Sequence, residues 1–171
     1  LNNLLEWSKL KTNKVDYAPD AIIIRDVITR VVELLSGNAM KKQIKILNNA
    51  EADLSVFADF NMITSVLQNL ISNAIKFTHQ NGLITILTET QEDKVIIHIS
   101  DTGIGLSESD IARIMDNSSY HSTKGTAEEM GSGLGLVLCK ELIEKNGGTF
   151  HIESTTGKGS TFSFSLLKNK N

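Results

Sequence analysis

Apolar residues recur along the chain with two periods, one near 3.6 and one of two, and the switching between them outlines a fold. The opening LNNLLEWSKLK sets Leu1, Leu4, Leu5, Trp7 and Leu10 close to helical spacing, and Asn13 to Pro19 breaks the pattern. From about Ile24 to Lys42, an apolar stripe of Val27, Ile28, Val31, Val32, Leu34 and Leu35 predicts a second helix. Gln43 to Leu47 and Leu54 to Ala58 read as short strands. Asp59 or Asn61 can cap a third helix that runs to about Phe77, with Ile63, Val66, Leu67, Leu70, Ile71 and Ala74 on one side. Strands follow at Leu83–Thr90 and Lys94–Ser100, the second alternating Val95, Ile97 and Ile99 with Ile96, His98 and Ser100.

Asp116 to Met130 is polar and without period, which predicts a mobile loop. A fourth helix, Leu134 to Lys145, stops at the pair Gly147–Gly148. Thr149–Ser154 and Ser160–Leu167 form a closing hairpin across Thr155–Gly159. Strands in one set and helices in another predict an α+β fold. The arrangement is a two-layer α/β sandwich whose mixed, mostly antiparallel sheet carries three main helices on one face.

Composition narrows this picture in three places. The length of 171 residues fits one domain, and 40% hydrophobic residues with only 5% aromatics means an aliphatic core. A net charge of -3 gives no broad basic field, so a general nucleic-acid or anionic-membrane surface is not expected. One cysteine, Cys139, in the apolar run LGLVLCKELI, excludes an internal disulfide and reads as a buried, inert thiol in a reducing compartment. No apolar stretch approaches the roughly 20 residues of a membrane span, and Glu6 and Lys9 interrupt any signal-peptide core.

Four segments carry candidate chemistry. In NLISNAIK, Asn69, Asn73 and Lys76 lie near one helix face. Carboxamide oxygens there can ligate a hard cation and the lysine can neutralise phosphate, although an exposed polar face with no role would look the same. DTGIGL follows an apolar strand; Gly103 and Gly105 let the backbone approach a ligand, and Asp101 is an acceptor suited to an exocyclic amine. An ordinary Asp/Gly turn also fits. GSGLGL opens a helix, where backbone N–H groups and the helix dipole favour an anion. Its spacing fits neither the dinucleotide fingerprint nor the P-loop. TGKGSTF is most simply a tight hairpin turn. His79, His98, His121 and His151 have no metal-ligand or triad neighbourhood.

Taken in order, these segments resemble the ATP-binding catalytic domain of sensor histidine kinases, within the GHKL superfamily of Bergerat fold. NLISNAIKFT is similar to its N box, and DTGIGL, GSGLGL and TGKGSTF to its three glycine boxes. The resemblance covers about residues 16–167, and LLEWSKLK resembles the end of the preceding dimerisation and phosphoacceptor helix. It divides the chain into that helix end (1–14), the ATP-binding domain (15–168) and a tail (169–171).

The resemblance implies ATP and Mg²⁺ as ligands. Asn73 would hold Mg²⁺ with Asn69 beside it near the phosphates, Lys76 would contact phosphate, and Asp101 would bond the adenine amine. Gly103 and Gly105 would shape the base pocket. Gly131, Gly133, Leu134 and Gly135 would cradle the phosphates, Lys124 would reach the γ-phosphate from the lid, and Thr161 would join the nucleotide contacts. The implied partners are the chain's own dimerisation and phosphoacceptor domain and a response regulator receiver domain, in a homodimeric, cytoplasmic or membrane-anchored parent.

Two features depart from the family's pattern. The family's phenylalanine-rich box is replaced by IARIMDNSSYHSTKGT, with Met115 and Tyr120 as stand-ins, and no histidine precedes Pro19, so the phosphoacceptor motif is missing. Related ATPases carry a glutamate general base where Asn69 stands; asparagine cannot take a proton at neutral pH, so negligible ATPase activity is expected. A degenerate regulatory module, an ATPase clamp and an anti-sigma-type serine kinase are the competing readings.

Overall fold

The computed structural model describes residues 16–116, 125–127 and 135–169. A sheet of seven strands runs in the order β1–β3–β7–β5–β4–β2, with β6 beside β7. The strands are β1 Pro19–Ile23, β2 Lys45–Asn49, β3 Ser55–Asp59, β4 Leu83–Gln91, β5 Lys94–Asp101, β6 Phe150–Thr155 and β7 Gly159–Lys168. Only β2 and β4 pair in parallel among the described strands. The long β7 serves two partners on one edge: β6 along Gly159–Phe164 and β3 at Leu167 and Lys168.

The helices are α1 Ile24–Lys41, α2 Phe60–Phe77, α3 Glu108–Met115 and α4 Gly135–Lys145. Period two governs which residues meet them. Val95, Ile97 and Ile99 of β5 and Phe162, Phe164 and Leu166 of β7 are buried, while Ile96, His98 and Ser100 are half-buried on the opposite face. On the helix side, α2 supplies Ile63, Val66, Leu67, Leu70 and Ile71 to the same core, all fully buried. Each such aliphatic side chain contributes about 1.5–3 kcal/mol when taken out of water. Cys139 is fully buried against α2, 3.7 Å from the Val66 carbonyl, and burial pushes its thiol far above the ordinary range, so the thiol stays protonated and inert.

Asp59 fixes the start of α2. Its Oδ1 accepts from Met62 N (3.0 Å) as the N-cap, and its Oδ2 accepts from Ala18 N (2.9 Å). The amide of Asp59 donates to Asn146 Oδ1 at 2.8 Å, so the end of α4 is tied to the same point.

Three sequence expectations change. The strand β1 lies where only a break and then a helix start were read: Pro19, with no N–H, sits at the first position of an edge strand, where it interrupts no ladder bond. The short helix α3 falls in a stretch assigned no element; its start is marked by Ser107, whose Oγ accepts from Asp110 N. The fold thus has three long helices and this fourth short one among the described residues. Strand β2 begins at Lys45, not Gln43, because Gln43 takes a left-handed φ of 53° in the preceding turn. The helical reading of residues 1–14 lies outside the described residues, as does most of the loop from Asp116 to Met130.

Candidate nucleotide site

Along α2, Leu70, Ile71, Ala74 and Ile75 are buried, and Asn69, Asn73 and Lys76 fall between them as a half-buried polar stripe. Asn69 Nδ2 donates to the Ser65 carbonyl one turn back (2.9 Å), which fixes the amide plane and assigns its oxygen to the other end. Lys76 Nζ lies 4.7 Å from the Phe77 ring centroid, a cation–π contact that holds the amine near the helix terminus.

The last carbonyls of α2 have no partner within the helix, and tertiary groups take them up. Phe77 O accepts from Ile104 N at 3.1 Å, so the first glycine box lies directly on the helix end. A Cβ on Gly103 would stand 2.3 Å from that same carbonyl, which is why the approach excludes a side chain. The box is clamped from its other side by the β6–β7 hairpin. Gly157 N donates to Ile104 O (2.7 Å) and Leu106 N donates to Ser154 Oγ (2.7 Å). The sequence TGKGSTF is therefore the hairpin turn expected, and it also buttresses the first glycine box.

Asp101 closes β5 and points toward the helix layer with Val95, Ile97 and Ile99. It is 8% exposed. Burial pushes its carboxyl above the usual carboxylate range, against the opposing pull of the Gly103 and Ser160 backbone N–H groups; Gly103 N lies 2.8 Å from Oδ1. The result is a buried acceptor whose two backbone donors hold its plane in place, at the end of the sheet beside the C-terminal turn of α2. Such a carboxyl can accept a hydrogen bond from a donor brought to that end of the sheet.

The helix–box–hairpin contact sets Asp101, Gly103 and Gly105 against the end of α2 that carries Lys76, and Asn73 and Asn69 lie one and two turns back along the same helix. Gly135 opens α4 as its first residue. Lys124, Gly131, Gly133 and Leu134 lie outside the described residues. Thr161 is not brought to the group. It pairs with Ser100 on the opposite face of the sheet, its Oγ1 2.9 Å from Ser100 Oγ. The neighbour that shares Asp101's face is Ser160, directly opposite it in the ladder and 8% exposed. A one-residue step along a strand reverses the face, and the hairpin register needed to place that step is not visible in TGKGSTF. Sequence reasoning also missed Lys42 and Thr126, which meet at the end of α2. Their types and spacing carry no signal until α1 and α2 are docked.

Comparison with known proteins identifies the family. Residues 58–170 match the family described as histidine kinase-, DNA gyrase B-, and HSP90-like ATPase. The chain is 36% identical over 172 residues to the sensor histidine kinase GacS of Pseudomonas protegens, covering 97% of this chain and 19% of that protein. It spans only about a fifth of the length of the curated relatives it matches.

Among solved structures, the catalytic domain of histidine kinase ThkA superposes with a TM-score of 0.77 at 29% identity, covering 91% of this chain and all of that one. ThkA in complex with response regulator protein TrrA gives 0.75 at 24% identity, covering 98% of this chain and 48% of that one. Full-length ShkA in complex with AMPPNP gives 0.82 at 25% identity, covering 99% of this chain and 36% of that one. The chain belongs to the histidine kinase-, DNA gyrase B-, and HSP90-like ATPase family, as a histidine kinase catalytic domain.

Proposed function

We propose that this domain binds Mg-ATP between the asparagine face of α2 and the first glycine box, and donates the γ-phosphoryl group to a histidine held outside this chain. The observation that carries the reading is the contact of the α2 terminus with the DTGIGL box, which sets Lys76 and Asp101 on the same end of the sheet. In this reading Asp101 accepts the adenine amine. Lys76 neutralises phosphate. Asn73, with Asn69 one turn earlier, supplies carboxamide oxygens to Mg²⁺. Among the described residues no cluster of three or more acidic, histidine or cysteine side chains could cage a metal. The donor set therefore suits an ion that keeps waters and phosphate oxygens in its shell. Bound there, the ion would supply charge neutralisation at the β- and γ-phosphates.

Transfer needs little from the protein beyond position. An imidazole nitrogen attacks the γ-phosphorus in line, the bond from that phosphorus to the bridging oxygen breaks, and ADP leaves. Asn69 is an amide and cannot itself take a proton from water, which supports donation over hydrolysis. A phosphohistidine donor implies a dimerisation and phosphoacceptor domain as first partner, and the likeness to ThkA, solved in complex with response regulator protein TrrA, supports a response regulator as second. Among the described residues no helix is long and apolar enough to cross a membrane, and the single buried thiol suits work in the cytoplasm.

Two measurements test this. The chain alone with labelled ATP should show negligible turnover, and addition of its phosphoacceptor domain should yield acid-labile phosphohistidine. Hydrolysis at the rate of a dedicated ATPase would sink the proposal. Replacing Asn73 with alanine should remove the Mg²⁺-dependent part of ATP-analogue binding and leave the Mg²⁺-independent part. A variant that still gains full affinity from Mg²⁺ would show that the ion is held elsewhere.

A further inference from the structure

The C-terminal end of α2 is bonded by more than the glycine box. Lys42, the C-cap residue of α1, sends its Nζ across to α2, donating to Ile75 O and Lys76 O at 2.9 Å each and to Thr126 Oγ1 at 2.6 Å. Thr126 approaches from the segment between the first and second glycine boxes. Its amide donates to Lys76 O (3.1 Å), and its hydroxyl stands 3.1 Å from Lys76 O and 2.9 Å from Thr78 O. The two lone pairs of Lys76 O are taken by Lys42 Nζ and the Thr126 amide, so the hydroxyl proton goes to Thr78 O.

Four carbonyls in a row at this helix end thus face four tertiary donors. Ile75 O faces α1, Lys76 O faces α1 and the inter-box segment, Phe77 O faces the glycine box, and Thr78 O faces the inter-box segment. A cation is favoured there by the helix dipole as well as by the bonds. Both side chains are half-buried, where such bonds are screened less than on an open surface.

We propose that Lys42 and Thr126 are positioning residues for nucleotide binding: together they pin the inter-box segment to the backbone of Lys76. The inference rests on the Mg-ATP reading above. If the pin is removed, Lys76 loses two of the bonds that fix its backbone, and Thr126 loses its attachment to the asparagine helix. Neither residue touches nucleotide in this account; they act through Lys76.

The test uses the 171-residue chain and two readouts. The first is affinity for a fluorescent, non-hydrolysable ATP analogue with Mg²⁺. Thr126→Val keeps shape and removes the hydroxyl; Lys42→Met keeps length and removes the donors. Each should weaken binding roughly 3- to 30-fold, less than the loss of a hydrogen bond made to the nucleotide itself, because both residues act on it only through Lys76. Thr126→Ser, which restores the hydroxyl, should bind within about twofold of the parent. The double variant should lose less than the product of the single losses, because both break one network.

The second readout is hydrogen exchange without nucleotide. Lys42→Met should speed exchange at the Thr126 amide and leave the β5 amides unchanged. The pin is overturned if Thr126→Val binds like the parent, if serine rescues no better than valine, or if Thr126 exchange is insensitive to Lys42→Met. A parent chain that binds no nucleotide overturns the Mg-ATP reading, and the exchange experiment then decides the pin by itself. Should Lys42→Met fail to fold, the valine–serine pair carries the test.

Discussion

Replacing Gly159 with alanine is expected to lower the unfolding free energy by about 2–5 kcal/mol, the sum of backbone strain and an overpacked contact. Gly159 has φ of 108°, a region that side chains rarely adopt, and a Cβ there would lie 1.9 Å from the carbonyl oxygen of Asp101. The obstacle is backbone on both sides, so no rotamer relieves it. Urea unfolding of Gly159→Ala beside Gly157→Ala separates the two contributions. Gly157 also has positive φ, 78°, but nothing lies within 4 Å of the place its methyl would take. Its variant should lose only about 1–2 kcal/mol, the strain alone. Equal losses would mean that the approach to Asp101 does not limit the hairpin. Gly105, with φ of 68° and a would-be Cβ 2.1 Å from Thr155 O, is the reciprocal contact from the box to the hairpin.

The second large effect concerns binding. Asp101→Asn should weaken ATP-analogue binding about 10- to 150-fold, corresponding to about 1.5–3 kcal/mol for a hydrogen bond to a charged acceptor. The pH dependence carries a further signature. Burial raises the Asp101 carboxyl above its ordinary value of 3.8, and the Gly103 and Ser160 amides only partly offset this. An acid whose folded pKa is raised favours the folded state below the unfolded value; that contribution is lost as pH rises through the folded pKa. Nucleotide binding runs the other way, since the acceptor must be ionised. Acidification through the folded pKa should therefore relieve the stability penalty of Asp101 and weaken the analogue together. In Asp101→Asn both dependences should disappear. An affinity that falls equally with pH in the variant would assign the titration to another group.

Most of the fold was legible because it rests on period. The alternation of β5 and the stripe of α2 each name the buried face, and the structure buries those residues. Asp59 and Asn61 were both legible as caps, and the structure takes Asp59. What escaped was whatever depends on tertiary context. Nothing local says that Ala21, Ile22 and Ile23 pair with Phe57, Val56 and Ser55, because an edge strand of five residues opened by Pro19 has too short a run to show a period. The site divides in the same way. Type and order single out Asp101 and the first-box glycines, which the structure sets beside the end of α2, whereas Thr161 and Ser160 are adjacent and chemically alike, and only the β5–β7 register tells them apart. Lys42 lies 34 residues from Lys76 in sequence and is brought to it only by helix docking.

The position of β5 in the sheet bears on how ligand binding can be measured. Asp101 ends a strand hydrogen-bonded along its whole length to β4 on one side and β7 on the other, the latter itself held by β6 and β3. Strands enclosed in this way are the last to open, and their amides exchange only with global unfolding. The Asp101 contact to a ligand is then lost when the whole domain unfolds and not before. The melting temperature of this chain consequently serves as a binding isotherm. The unfolding free energy rises with ligand concentration as RT ln(1 + [L]/Kd), so dissociation constants can be derived from thermal scans of unlabelled protein.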